Sequence, residues 1–150
     1  MSSYGKQLKY NISCEGHLER AANSNSIILA KQELEIAIDY IETNNLTTGN
    51  TSFFFKTTPS NDIEFWYNNL NSAYAELEEL SVVNLSPLET SNVLMKLRET
   101  ILKRDSVIAP SEIYYYPNRW AWKITISLWP FFMIFYILLW IVVHFLYRDR

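Results

Sequence analysis

One cysteine, three glycines and two histidines in 150 residues close off several classes of protein. With Cys14 alone no disulfide forms within the chain, so the fold must hold by packing, and the residue reads as a small buried apolar group rather than a nucleophile. Cys14 and His17 are spaced so that a helical turn could bring them together. Two ligands do not make a structural zinc site, however, and a covalent haem signature needs a second cysteine. All three glycines precede residue 50, and no glycine-rich phosphate loop, nucleophile elbow or zinc-protease histidine pair occurs. Glu76, Glu78 and Glu79 read as a solvated acidic face, because acid–base catalysis needs environments that separate two pKa values. The expectation is a noncatalytic protein with no metal and no cofactor.

The most informative scarcity is of charge. Residues 124–146 contain no Lys, Arg, Asp or Glu. As a helix this stretch spans about 34 Å, enough for a hydrocarbon core of roughly 30 Å. Up to Asn118 the chain carries 15 acidic against 9 basic residues, a formal charge of −6; the remainder carries +3, from Arg119, Lys123, Arg148 and Arg150 against Asp149. An acidic head disfavours nucleic acid and anionic lipid, both polyanions. No continuous apolar stretch opens the chain, and the membrane element comes last, which is the layout of a tail-anchored protein with its head in the cytoplasm. Charges flank the span on both sides and leave orientation open. Sequons at Asn11, Asn45, Asn50 and Asn84 are read as chance in an Asn-rich chain.

The resulting organisation is an N-terminal arm of uncertain structure over 1–15, a helical head over 16–105, an aromatic juxtamembrane linker over 106–123, a transmembrane helix over 124–146 and a polar tail over 147–150. The head has room for one core. Its fold class is all-α: a three- or four-helix up-and-down bundle followed by one membrane helix. A short helical piece over 16–23 reaches Ser24, Asn25 and Ser26, which either cap the next helix or interrupt a longer one. Ile27, Ala30, Leu34, Ala37 and Ile41, widened by Ile38, then give one apolar face, and Asn44, Asn45 and Gly49 supply a stop.

A second helix is expected to open at Thr58–Pro59, with Thr58 as N-cap and an inward face of Ile63, Trp66, Leu70, Ala73, Leu77 and Leu80. The third opens on Ser86, Pro87 and Glu89, a capping box with proline at the first helical position. Leu94, Leu97 and Ile101 follow on its apolar side, and its end is expected near Arg104. Between the first two strong helices, Phe53, Phe54 and Phe55 lack helical period. They read as an extended plug over the end of the core, or as a dock for a partner.

Ahead of the span, Tyr114, Tyr115, Tyr116, Trp120 and Trp122 suit the zone where headgroups meet hydrocarbon, and Arg119 and Lys123 can reach phosphates. Pro130 inside the span removes one helical hydrogen bond and predicts a bend. His144, about one turn from the exit, can face water or headgroups. No G-x-x-x-G occurs, so the bulky surface favours lipid or irregular packing on a larger partner over close self-dimerisation.

These features favour a single-pass accessory subunit or adaptor that presents an acidic head to membrane-complex partners. Its expected neighbours are the lipid bilayer and a larger membrane-protein complex or a homo-oligomer, with no nucleic acid. Contacts are expected at Phe53, Phe54, Phe55, Glu76, Glu78, Glu79 and Pro130. One alternative is a membrane-anchored sensor or regulator with a small-ligand pocket at Trp66, Tyr67 and Tyr74; another is a component of an oligomeric channel or transport assembly.

Overall fold

The computed structural model of the chain describes residues 3–52, 58–115 and 119–148. The chain divides into two units, Met1–Pro117 and Asn118–Arg150. The first is a mostly helical head, and the second is one long apolar helix.

In the head, helix α1 (Ser3–Tyr10) passes through a π-helical turn (Asn11–Glu15) directly into α2 (Gly16–Ala22). Residues 1–15, expected as an arm of uncertain structure, therefore contribute helix from Ser3 onward. Tyr10 and Cys14 are buried in the core with Leu18, Ala21 and Ala22. The extra residue of the π turn changes the phase of the helix, and glycine accommodates it: the Gly16 N–H donates to the Asn11 carbonyl, whose oxygen would lie 3.2 Å from a Cβ at that position.

The Ser24–Ser26 segment separates two helices. Asn23 Nδ2 donates to the Glu19 carbonyl at 2.9 Å and Ser24 Oγ to that of Arg20 at 2.7 Å, satisfying the end of α2. Ser26 Oγ then accepts from the Leu29 N–H at 3.2 Å and opens α3 (Ile27–Thr43). The expected apolar face of α3 is the buried one: Ile27, Ala30, Leu34, Ala37, Ile38 and Ile41. Its end follows from Asn45, left-handed at φ 55°, which lets the Leu46 N–H reach the Ile41 carbonyl at 2.8 Å while the Leu46 side chain is buried.

Helix α4 (Ile63–Leu80) starts later than the sequence suggests. Its N-cap is Asp62, whose carboxylate accepts from the Phe65 N–H at 3.1 Å, and not Thr58. Asp62 outcompetes Thr58 because the intervening chain is already committed. Asn61 Oδ1 accepts from the Thr58 N–H at 2.8 Å, and Thr51 and Ile63 N–H groups bond the Asn61 and Gly49 carbonyls. Gly49, at φ 112°, supplies a backbone conformation that side chains resist.

Helix α5 (Pro87–Ile101) opens on the reciprocal Ser86–Glu89 capping box. It ends at Ile101 rather than near Arg104. Strands β1 (Leu102–Lys103) and β2 (Ser106–Val107) pair antiparallel through a two-residue turn in which Arg104 and Asp105 both have positive φ, 51° and 64°. That conformation matches the natural twist of a hairpin. Helices α2 to α5 close a bundle, with α2 against α3 and α5, α3 also against α4 and α5, and α4 against α5. Ile63, Trp66, Leu70, Leu77, Leu97, Ile101 and Ile113 complete its core.

In the second unit, helix α6 (Arg119–Arg148) includes Pro130 and continues on both sides of it. Ile124–Ile141 is long and apolar enough to cross a membrane, and none of it is buried. The head thus covers its own apolar faces, whereas this helix leaves its whole circumference to another medium.

Candidate functional site

The functional surface best defined by composition is that of α6. Along one face, Ile124, Thr125, Leu128, Trp129, Phe132, Met133 and Tyr136 line a largely apolar groove of about 490 Å³. Nearer the C-terminal end the Trp140 and His144 rings lie 5.5 Å apart, one turn of helix from each other. Arg119, Trp120, Trp122 and Lys123 belong to the first turns of α6, with side chains outside those described; Tyr116 lies outside the described residues altogether.

Tyr114 and Tyr115, read as headgroup-seeking, form a short 3-10 turn with the buried Ile113. Their rings are 4.5 Å apart, and the Tyr114 ring lies 6.2 Å from that of Tyr10. Tyr10 also meets Tyr40 edge-on at 6.2 Å. The start of the aromatic linker is thereby packed into the head, beside the π turn.

At the acidic end of α4 two of the three glutamates are paired within the chain. Lys96 Nζ donates to both Glu76 carboxylate oxygens at 2.8 Å, and Lys31 Nζ to Glu78 at 3.0 Å while lying 5.5 Å from the Tyr74 ring centre. These contacts tie α4 to α5 and to α3. Glu79 is exposed. The hydrogen bond from Lys31 to Glu78 raises the Lys31 pKa, favouring its charged form. Phe53, Phe54 and Phe55 lie outside the described residues.

Trp66, Tyr67 and Tyr74 have separate roles. Trp66 is buried at the edge of a cleft of about 260 Å³ between α4 and the hairpin, with Phe65, Asn69, Thr100 and Lys103 among its neighbours there, and its indole N–H has no partner among the described residues. Tyr67 donates its hydroxyl to Glu42 across to α3 at 2.6 Å. Tyr74 lies under Lys31. A second, more polar cleft of about 230 Å³ is bridged by the Glu76–Lys96 pair, and its Ser72 and Thr100 hydroxyls already donate to carbonyls of their own helices.

Two clusters escape a reading by motif. The Tyr10 hydroxyl has no nitrogen or oxygen partner among the described residues and lies beside the Cys14 thiol. Burial pushes both up, the thiol to about 12 and the phenol well above its ordinary value, so both are neutral at ordinary pH. Across α2 and α3, Glu33 Oε2 lies 2.7 Å from His17 Nδ1 and accepts from Arg20 Nε at 2.9 Å. Burial would raise this carboxyl, but the hydrogen bonds from His17 and Arg20 outweigh it and hold the pKa below the ordinary glutamate value. The spacing of His17 and Arg20 places both on one helix face; only the docking of α3 supplies Glu33. Among the described residues no three His, Cys, Asp or Glu side chains gather closely enough to hold a metal ion.

No protein-family model, curated protein or solved structure matches the chain.

Proposed function

We propose that this chain is a noncatalytic single-pass accessory subunit that holds an acidic helical head at a membrane for the use of a larger membrane assembly. The observation that carries the reading is the contrast between the two units: a head with a closed core, and the apolar stretch Ile124–Ile141 with no part of its surface covered. A closed core needs no partner to fold, and an uncovered apolar helix needs lipid or other helices. Confinement to a membrane raises the local concentration of the head near other membrane proteins. The proposal places the head on the cytoplasmic side and assigns its contacts to the exposed Glu79 end of α4 and to the span. Within this reading Arg119, Trp120, Trp122 and Lys123 lie at the headgroup level.

Purification of the full chain in mild detergent tests the subunit reading. Co-purification of a defined larger complex, lost on removal of residues 118–150, is the expected result. A stable lone monomer under several gentle conditions contradicts it. Protease access in sealed vesicles tests the side on which the head lies.

A further inference from the structure

We propose that α1 is an interfacial helix: its outer face, Tyr4, Leu8 and Ile12, lies in the headgroup zone of the membrane that α6 crosses. The inference rests on the reading of α6 as a membrane span and adds a second place at which the chain meets the same bilayer. Tyr4, Leu8 and Ile12 recur every four residues, which puts them on one side of the helix that runs through α1 into the π turn. All three are exposed, while Tyr10 and Cys14, on the other side, are buried in the core. The helix is thus apolar both inward and outward, and the head covers only the inward face.

Charge favours lipid as the cover of the outer face. Residues 1–14 carry Lys6 and Lys9 and no Asp or Glu, so all 15 acidic residues of the head come later. Lys9 is exposed and borders the apolar stripe. Arg20, Lys31, Lys96 and Arg98 are each paired with a carboxylate, whereas among the described residues neither Lys6 nor Lys9 forms an ion pair. The Lys9 ammonium lies 5.9 Å from the Tyr40 ring centre, a contact that steadies its stem and leaves the charge open to a phosphate. An anionic leaflet repels the acidic remainder of the head and attracts this end, which turns α1 toward the bilayer.

Position favours lipid as well. Helix α1 packs on the 3-10 turn Ile113–Tyr115, with the Tyr10 ring against Tyr114. Only residues 116–118 separate that turn from Arg119, and four residues of chain reach at most about 14 Å. With Arg119 to Lys123 at the headgroup level, this tether keeps α1 within reach of the phosphates. The exposed Val82, Val83 and Leu88 lack both advantages. They flank the connection from α4 to α5 beside the exposed Glu79 and Glu89, a full length of α5, about 22 Å, from the hairpin that leads to the span. Residue type agrees with the choice of α1: a tyrosine ring has an apolar body and a polar edge, and an apolar stripe bordered by lysine is the composition of helices that lie in the plane of a membrane surface.

The test uses the full chain, without other proteins, in vesicles of mixed phosphatidylcholine and phosphatidylserine. Single cysteines replace Leu8, Ile12, Asn68 or Ile134 in a Cys14→Ala background and carry an environment-sensitive fluorophore, read against quenchers on the acyl chains and against iodide in the water. Lipid-borne quenching at 8 and 12 is expected to exceed that at 68 several-fold, and iodide quenching to fall below it by a similar factor. Lys6→Gln with Lys9→Gln should weaken docking at least about fivefold, the worth of one lysine near an anionic surface. Circular dichroism and thermal melting matching the native chain confirm that each variant is folded. Labels at 8 and 12 that stay open to iodide overturn the proposal, as do labels shielded from iodide without lipid quenching, the result of a protein neighbour or a second copy. Docking indifferent to both lysines overturns it too. If the label at 134 is still quenched by lipid in those cases, the span stands and only the docking of α1 falls. A label at 134 that lipid does not quench removes both.

Discussion

At the scale of single residues, the head is most informative where polar atoms have been buried. Tyr10 places its ring among Tyr40 and Tyr114 and leaves its hydroxyl beside the Cys14 thiol, with no nitrogen or oxygen partner among the described residues. A buried hydroxyl without a strong acceptor contributes little, so Tyr10→Phe should change the unfolding free energy by less than about 1 kcal/mol, and in the stabilising direction if at all. Leu97→Ala, at a buried position of α5, should cost about 2 to 5 kcal/mol. Urea denaturation of the head checks both; a large loss for Tyr10→Phe would mean that the hydroxyl has a partner of consequence.

The same pair sets a limit at high pH. The folded-state pKa values of Cys14 and Tyr10 lie above their ordinary values of 9.0 and 10.0, so the stability they contribute is fully present below that range. It declines as the pH rises toward the folded values. The head should therefore lose stability progressively above about pH 9, and the Cys14→Ala, Tyr10→Phe double variant should lose less over the same titration. Equal alkaline slopes in the two proteins would show that other groups control the transition.

At the scale of elements, legibility depended on whether the deciding signal was local. Ser86, Pro87 and Glu89 specify the start of α5 within four residues, and the structure forms that capping box. The apolar stripe of α3 was readable because its period is regular. The N-terminal helix was not, because its apolar residues follow two phases: Tyr4, Leu8 and Ile12 are exposed while Tyr10, Cys14 and Leu18 are buried. A π turn between them cannot be inferred from a 3.6-residue period. The hairpin after α5 was hidden for a different reason. Its turn residues are Arg104 and Asp105, neither of which is glycine or asparagine, although both adopt positive φ.

That choice is strained, and it can be relieved. Arg104→Asn with Asp105→Gly should stabilise the head by about 1 kcal/mol, since each replacement tolerates the left-handed region better. The Arg98–Asp105 ion pair at 3.1 Å would be lost, but it is exposed and weak. A fall in thermal midpoint for this double variant would show that the pair or the native turn matters more than its strain. Of the expected functional features, the apolar span was readable from composition. The pairing of Glu76 with Lys96 and of Glu78 with Lys31 was not, because each joins residues far apart in sequence, across two packed helices.

At the scale of the whole molecule, the chain combines two solutions to the burial of apolar surface. The head folds its stripes against one another around α3, and leaves an acidic exterior. Helix α6 has apolar residues on every side and no core of its own, so water is the wrong solvent for it. The account therefore depends on where α6 resides.

Alkaline carbonate extraction of membranes carrying the full chain, compared with the chain ending at residue 117, tests this most directly. The account predicts that the full chain stays with the membrane pellet and that the shortened head is released folded. Release of the intact, unaggregated full chain into the supernatant would contradict it.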